Sequence, residues 1–127
     1  STFEEYCSYN VNIAVDKFFQ DMAQMIYSAH LVIARAGSSS IFEFCAAKRP
    51  MILIPFAAAA DNHQEKNAVY LEKNNAAIVI REKDFTIARV SEILRDLIGN
   101  EEKLKLMSEN AGRLFIQDSV QRLINLL

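Results

Sequence analysis

Three short apolar runs divide the first two-thirds of the chain into repeating units. They occupy Leu31–Ala34, residues 51–56 and residues 76–80, and each is followed by a polar or small-residue segment. Their first residues are 20 and 25 positions apart, which suits a strand, a crossover helix and the next parallel strand better than a hairpin. None of the runs alternates apolar with polar residues, as expected of strands covered on both faces. The pattern predicts an α/β fold, a parallel sheet with flanking helices.

Helical spacing dominates the chain after the third run. Gly99 is a stop signal for a first helix, and Asn100 is a suitable cap for a second. Asp118 with Gln121 resembles a capping box, which predicts a separate last helix. The apolar residues of the first of these helices recur at intervals of three and four positions, at Val90, Ile93, Leu94 and Leu97.

The predicted sheet is small for the number of helices that would cover it. A length of 127 residues, 51% of them hydrophobic, supports one domain with a core. Sheets usually have about five or six strands, whereas residues 6–13 carry only a weak further strand pattern. Either this early segment supplies more strand, or the chain is part of a larger domain.

Charge, hydropathy and cysteine usage narrow the functional class. The net charge of −2 gives no electrostatic footprint for nucleic acid. The longest apolar stretch, residues 51–60, is shorter than the ~20 residues that span a bilayer. Cys7 and Cys45 are interpreted as reduced thiols of a cytosolic protein, with Cys45 inert on a packed helix face. We expect no metal, no cofactor and no serine nucleophile, and we interpret the scattered lysines and arginines as solvated surface.

The loop after the first run is the first candidate site, because ligands of open α/β sheets bind at the carboxyl ends of the strands. Residues 35–40 read Arg-Ala-Gly-Ser-Ser-Ser. Gly37 permits a tight turn and a close approach of a ligand to the backbone. The serines open a helix whose N–H groups and dipole suit a phosphate. Glu43 follows within the first helical turns, where its carboxylate is able to accept two hydroxyls of a ribose.

A structural role competes with this interpretation of the first loop. Ser40 and Glu43 also match a capping box, in which Glu43 accepts the backbone N–H of Ser40. The local sequence leaves capping and ligand contact open for both residues.

A polar cluster after the second run is the second candidate site. His63, Gln64 and Asn67 gather at the start of a predicted helix that continues to about Lys73. Their imidazole and amide groups are able to hydrogen-bond sugar hydroxyls. Asp61 with Gln64 also resembles a capping box, so a solvated helix cap is the competing interpretation.

Three segments of the chain together resemble the MurG family of bacterial glycosyltransferases. They read SAHLVIARAGSSSIFE at residues 28–43, RPMILIPF at 49–56 and DNHQEKNA at 61–68. The resemblance extends from about Val11 to the C-terminus and implies part of the Rossmann-like C-terminal lobe of a two-lobed GT-B enzyme. The implied activity is transfer of N-acetylglucosamine from UDP-N-acetylglucosamine to undecaprenyl-diphospho-muramoylpentapeptide, in peptidoglycan biosynthesis.

The resemblance also implies roles for individual residues. Gly37 and the serines match the turn and helix start that meet the UDP diphosphate, and Glu43 matches the acid that holds the ribose hydroxyls. His63 and Gln64 match the pair that reads the sugar hydroxyls, with Asn67 nearby. The resemblance also implies a uracil-binding turn at Phe18 and Phe19, for which core packing is the alternative. The expected donor-binding residues are therefore Phe18, Phe19, Gly37, Ser38, Ser39, Ser40, Glu43, His63, Gln64 and Asn67.

The same resemblance shows departures from the family. The family's first lobe, with the histidine expected to help activate the acceptor hydroxyl, and the first βα units of the donor lobe have no counterpart here. Lys48 stands where the family usually has a helix-ending glycine, so a left-handed backbone is expected at a non-glycine residue. Residues 57–60 replace a loop that often contains aromatic residues or proline. Residues 1–127 are therefore expected to form a partial UDP-sugar donor-binding domain, with the general base elsewhere.

The chain alone is expected to be inactive as a transferase. UDP-N-acetylglucosamine is the expected partner, at the cytoplasmic face of the bacterial inner membrane. The lipid-diphosphate acceptor, with any peripheral membrane contact, is expected to meet the missing lobe. An alternative is a small donor-binding subunit of a two-chain transferase, as in dolichol-linked sugar transfer in eukaryotes, and another is a non-catalytic nucleotide-binding module.

Overall fold

Four parallel strands form one sheet in the part of the chain that the structure describes, in their order along the sequence. The computed structural model describes residues 13–15, 26, 29–57 and 62–126. Each neighbouring pair of strands is parallel, so the predicted α/β fold with a parallel sheet is confirmed. The strands are β1 (Ile13–Val15), β2 (Leu31–Ala34), β3 (Met51–Leu53) and β4 (Ala77–Val79).

The early segment supplies a fourth strand. β1 lies beside β2, with Ile13 opposite Leu31, whereas residues 6–12 of the weak strand pattern lie outside the described residues. β3 and β4 are shorter than the apolar runs that predict them. The ladder continues one residue beyond β3, because the Ile54 N–H donates to the Ala34 carbonyl at 2.9 Å.

The helices follow the strands as predicted, with one exception. Asn100 caps the last of them, since its Oδ1 accepts the Lys103 N–H at 3.1 Å. Gly99 directly follows the helix before it, so both boundary predictions are confirmed. A 3-10 turn at Glu82–Asp84 precedes that helix. The described α-helices are α1 (Ser38–Ala46), α2 (His63–Lys73), α3 (Ile87–Ile98) and α4 (Glu101–Leu126).

The prediction of a separate last helix at Asp118 is wrong. α4 is continuous over 26 residues and passes through Asp118 and Gln121 in its interior. A capping box starts a helix only where the preceding chain leaves the helical conformation. The helix tolerates the buried Gly112 in its interior, and residues 113–117 contain neither glycine nor proline, so no helix breaker directly precedes Asp118.

Both faces of the sheet are covered, which explains the continuous apolar runs. Successive strand residues point to opposite faces. Val32 and Leu53 pack in the cluster with α1 and α2, while Ile33 and Ile52 pack in the cluster with α3. α4 contributes to both clusters. The carboxyl ends of the strands are thus left as the edge from which α1 and α2 begin.

α1 ends in a Schellman motif with lysine in the left-handed position. Lys48 has a φ of 57°, as expected from its replacement of a helix-ending glycine. The Lys48 N–H donates to the Cys45 carbonyl at 3.1 Å, and the Arg49 N–H donates to the Phe44 carbonyl at 3.0 Å. The Ser108 hydroxyl of α4 donates to the Lys48 carbonyl at 2.6 Å, so α4 holds this turn in place.

We expect a Lys48→Gly variant to be more stable than a Lys48→Ala variant by about 1 kcal/mol, because only alanine places a Cβ in the left-handed conformation. Both variants remove the lysine side chain from Gly112, where a Cβ would lie only 3.0 Å from the Lys48 Cγ. The loss of that packing is therefore common to the two variants and cancels in their difference. Urea unfolding measures the difference.

The matched control for this comparison is the neighbouring Ala47, whose φ of −82° is right-handed. Ala47→Gly should lower the free energy of unfolding. At position 48, in contrast, glycine should give a higher free energy of unfolding than alanine. An alanine at position 48 that is as stable as glycine would contradict the left-handed turn.

Candidate functional site

Both predicted loops lie at the carboxyl-end edge of the sheet. β2 leads into the loop before α1, and β3 leads into the loop before α2. β4 ends beside them, since the Ile80 N–H donates to the Leu53 carbonyl at 2.9 Å. Three consecutive strand ends therefore meet at one edge, the usual place for a ligand in an open α/β sheet.

The N-terminus of α1 presents backbone donors without a side-chain cap. Gly37 is the N-cap residue, and no side chain caps the helix. The first intrahelical bond runs from the Ile41 N–H to the Gly37 carbonyl at 3.0 Å. The N–H groups of Ser38, Ser39 and Ser40 come before Ile41 in the helix and have no intrahelical acceptor. The first turn contains no acidic residue, so the positive end of the helix dipole meets no carboxylate of its own turn.

The capping-box alternative for Ser40 and Glu43 does not form. α1 begins at Ser38, so Ser40 is the third helical residue and not the cap. Glu43 is exposed and shares the helix face of Ser39 and Ser40. Its carboxylate is therefore available to solvent beside the serine turn.

The backbone at Gly37 does not require glycine. Its angles, φ −68° and ψ 143°, are extended and open to any residue, which corrects the interpretation of Gly37 as a tight-turn glycine. A Cβ at this position would meet nothing within 4 Å. The space in front of the Gly37 backbone is thus open among the described residues.

The first turns of α2 contact the loops that follow β2 and β3. The Gln64 Oε1 accepts the Phe56 N–H at 2.8 Å. The Asn67 Nδ2 donates to the Ala36 carbonyl at 3.0 Å and to the Ser38 Oγ at 3.2 Å. The structure therefore brings Asn67 together with the serine turn, a contact between the two candidate sites.

The start of α2 differs from the predicted capping box. The N-cap residue is Asn62, in a left-handed conformation and without a side-chain cap, while Asp61 lies outside the described residues. The side-chain oxygen Oε1 of Gln64 accepts a hydrogen bond from the backbone of the preceding loop instead of capping α2. His63 is exposed at the first helical position.

Two ion pairs at this edge involve residues that sequence reasoning missed. Arg35 Nη1 lies 2.6 Å from Glu82 Oε1, and Arg81 pairs with Glu65 at the start of α2. These four side chains are all more than a third exposed, so each pair stabilises the fold by only about 0.2–1 kcal/mol. The Arg35–Glu82 pair joins the segment after β4 to the segment after β2, and the Arg81–Glu65 pair joins it to the start of α2.

Arg35 also contacts the loop after β3. Its guanidinium lies 5.4 Å from the centroid of the Phe56 ring, and its Nη1 is 3.4 Å from the Ile54 carbonyl. Arg35 is exposed, in agreement with the interpretation of the basic residues as solvated surface, and it also makes these specific contacts. The one available sequence signal was its position directly after a buried strand, where side chains face the ligand edge.

A cavity of about 160 Å³ lies between α1, α2 and α4, beside Ser38 and Asn67. Ligand pockets usually enclose roughly 300–1,000 Å³, so this cavity is too small for a nucleotide sugar. Cys45 lines it. Burial, with a smaller contribution from Asp118, raises the pKa of the Cys45 thiol to about 12. The thiol therefore stays protonated at neutral pH, in agreement with its interpretation as inert.

Other predictions concern metals, membranes and the uracil turn. No group of three or more metal-ligating side chains occurs among the described residues. No described helix is long and apolar enough to cross a membrane. Phe18 and Phe19 lie outside the described residues, so the proposed uracil-binding turn remains a prediction.

Sequence comparisons place the chain among known proteins. Residues 1–123 match the model of the glycosyltransferase family 28 C-terminal domain. Relatives named UDP-N-acetylglucosamine--N-acetylmuramyl-(pentapeptide) pyrophosphoryl-undecaprenol N-acetylglucosamine transferase are 34% identical over 122 residues in Wolbachia sp. subsp. Drosophila simulans and 36% identical over 122 residues in Xanthomonas axonopodis pv. citri. The matches cover 96% of this chain but only 36% and 29% of those relatives. The chain therefore spans about a third of their length.

Solved structures agree with the sequence matches. The crystal structure of Acinetobacter baumannii MurG superposes with a TM-score of 0.62 at 28% identity, covering 89% of this chain and 32% of that one. The glycotransferase of kitacinnamycin has a TM-score of 0.57 at 20% identity, covering 82% of this chain and 28% of that one, which shows a shared fold alone. The family match, the MurG-like sequence and the MurG-like fold agree, and the chain belongs to the family of glycosyltransferase family 28 C-terminal domains.

Proposed function

We propose that this chain binds UDP-N-acetylglucosamine as the donor-binding part of a transferase that forms the lipid-linked disaccharide of peptidoglycan. The serine turn of α1 carries the proposal, because it presents uncapped N–H groups at the ligand edge of a glycosyltransferase domain. The names of the relatives support the choice of donor and acceptor, undecaprenyl-diphospho-muramoylpentapeptide.

The diphosphate of the donor is assigned to the N-terminus of α1. The N–H groups of Ser38, Ser39 and Ser40 and the helix dipole favour an anion there. During transfer, the bond between the sugar C1 and the diphosphate oxygen breaks and negative charge develops on the leaving UDP. Donors that are already oriented toward that oxygen stabilise the charge without reorganising, which is usually a large part of catalysis.

The other parts of the donor are assigned to neighbouring residues. Glu43 offers two carboxylate oxygens to the ribose diol beside the serine turn. His63 and Gln64 are assigned to the sugar, and Gln64 presents its Nε2 hydrogens because its Oε1 already accepts the Phe56 N–H. The uracil is assigned to Phe18 and Phe19 through family resemblance alone.

The acceptor and the general base are assigned to the portion of the longer relatives that this chain does not match. Deprotonation of the acceptor hydroxyl and contact with the membrane-bound lipid would occur there, at the cytoplasmic face of the membrane. We therefore propose donor binding, without turnover, for the 127-residue chain by itself.

We expect UDP and UDP-N-acetylglucosamine to shift the backbone amide resonances of residues 37–43 in an NMR titration of the ¹⁵N-labelled chain. The reason is that an anion at the N-terminus of α1 would accept hydrogen bonds from those N–H groups. Chemical-shift changes followed to saturation measure the site and its affinity.

Uridine serves as the ligand control, because it lacks the phosphates and should leave the serine amides nearly unchanged. The amides of residues 104–107 in α4, which lie outside the proposed site, serve as the internal reference. Unchanged positions of the 37–43 resonances at millimolar UDP would refute donor binding at this edge.

A further inference from the structure

We propose that Asn67 is a positioning residue, which holds the Ser38 hydroxyl as a hydrogen-bond donor toward the diphosphate. This inference rests on the proposed donor site and adds a role to it. Asn67 then acts on the donor through Ser38 and through the backbone of the serine loop.

The orientation of the Asn67 amide follows from the chemistry of its partners. The Ala36 carbonyl oxygen is an acceptor only, so the Asn67 atom 3.0 Å from it is the nitrogen Nδ2. The same nitrogen lies 3.2 Å from the Ser38 Oγ. An NH2 group has two hydrogens, and here each has one acceptor.

The orientation of the Ser38 hydroxyl follows in turn. Ser38 Oγ accepts from Asn67, so its own proton points away from the amide. Ser38 is exposed and is the first residue of α1, next to the backbone donors proposed for the diphosphate. Phosphate oxygens only accept hydrogen bonds, and a hydroxyl that already faces them as a donor needs no reorientation on binding.

The contacts of Asn67 also fix the loop itself. They join α2 to residues 31 and 29 positions earlier in the chain, one on each side of Gly37. Gln64, one turn earlier in α2, holds the Phe56 N–H of the next loop in a similar way. The first two turns of α2 therefore hold both loops that surround the proposed diphosphate position.

The first test needs no ligand. In the free chain, the two side-chain Nδ2 protons of Asn67 should exchange with water more slowly than those of exposed Asn100, whose amide is engaged through its oxygen. Ser38→Ala should speed the exchange of one Asn67 proton and leave the other, bonded to Ala36, nearly unchanged. Rapid exchange of both protons in the wild-type chain would overturn the inference, whatever UDP does.

The second test measures UDP affinity by calorimetry in a double-mutant cycle. We expect Ser38→Ala and Asn67→Ala each to weaken binding roughly 10-fold, as for loss of one hydrogen bond to a charged group. The double variant should bind about as weakly as either single variant, because Asn67 acts through Ser38. Asn74→Ala is the matched control, since it removes an asparagine bond to a backbone carbonyl at the other end of α2 and should leave UDP affinity unchanged.

The remaining outcomes separate this inference from the proposed function. Losses that multiply to roughly 100-fold in the double variant would overturn it, because the two residues would then act independently. The Asn67 protons of the wild-type chain could be protected while the chain fails to bind UDP. That outcome would overturn the proposed function and the role of Ser38 together. If Asn67→Ala does not fold, Ser38→Ala decides alone: an unchanged UDP affinity or unchanged exchange of the Asn67 protons overturns the inference, and a roughly 10-fold loss together with faster exchange of one Asn67 proton supports it.

Discussion

A Glu43→Gln variant is expected to bind UDP roughly 10-fold more weakly than the wild-type chain while unfolding at the same urea concentration. Hydrogen bonds to a charged group contribute about 1.5–3 kcal/mol, and the neutral amide keeps one acceptor oxygen but turns an NH2 group toward the second ribose hydroxyl. Glu43 is exposed and takes no part in capping α1, so its stability contribution is small. Calorimetric titration and urea unfolding measure the two quantities.

Two comparisons make the Glu43 test specific. With 2′-deoxy-UDP, which lacks one hydroxyl of the diol, the difference between the wild-type and variant affinities should shrink. Glu109→Gln, an exposed glutamate of α4, makes the same loss of charge away from the site and should leave UDP affinity unchanged. A Glu43→Gln chain that binds UDP as tightly as wild type would rule out the ribose role.

Phe44→Ala is expected to lower the free energy of unfolding by about 3–5 kcal/mol. Phe44 is 1% exposed and belongs to the cluster that packs α1 against the sheet. The loss is a large part of the roughly 5–15 kcal/mol by which a domain is stable, since truncation removes the ring contacts and leaves a cavity. Urea unfolding followed by circular dichroism measures it.

Phe44→Leu is the matched control for this truncation. It keeps most of the apolar volume and should cost much less than the alanine variant. Glu43 is exposed and its neighbour Phe44 is buried, so we expect the first to affect binding and the second stability. A Phe44→Ala chain that unfolds within about 1 kcal/mol of wild type would contradict the packing of α1 on the sheet.

The general fold could be predicted from the sequence because its signals are local. Continuous apolar runs indicate strands with both faces covered, and Val32 and Ile33 do face opposite clusters. Gly99 and Asn100 mark the boundary between α3 and α4, since a helix stop and a helix cap depend only on the nearest residues.

Local patterns were insufficient where the surrounding chain decided the outcome. Ser40 and Glu43 match a capping box, but α1 already begins at Ser38. Asp118 and Gln121 match another, but they lie inside α4. A capping pattern describes a helix end only if the backbone before it is not helical, and that condition depends on packing as well as on the motif.

The sequence by itself determined the parallel α/β fold, the helix boundary at Gly99 and Asn100, and the serine-rich helix start at the ligand edge. The tertiary structure decided that Asn67 meets Ala36 and Ser38, and that Arg35 pairs with Glu82, 47 residues away. The physical reason is the range of the interactions. Caps, turns and periodicity act within a few residues, whereas contacts between strand-end loops exist only after the register of β2, β3 and β4 brings those loops to one edge.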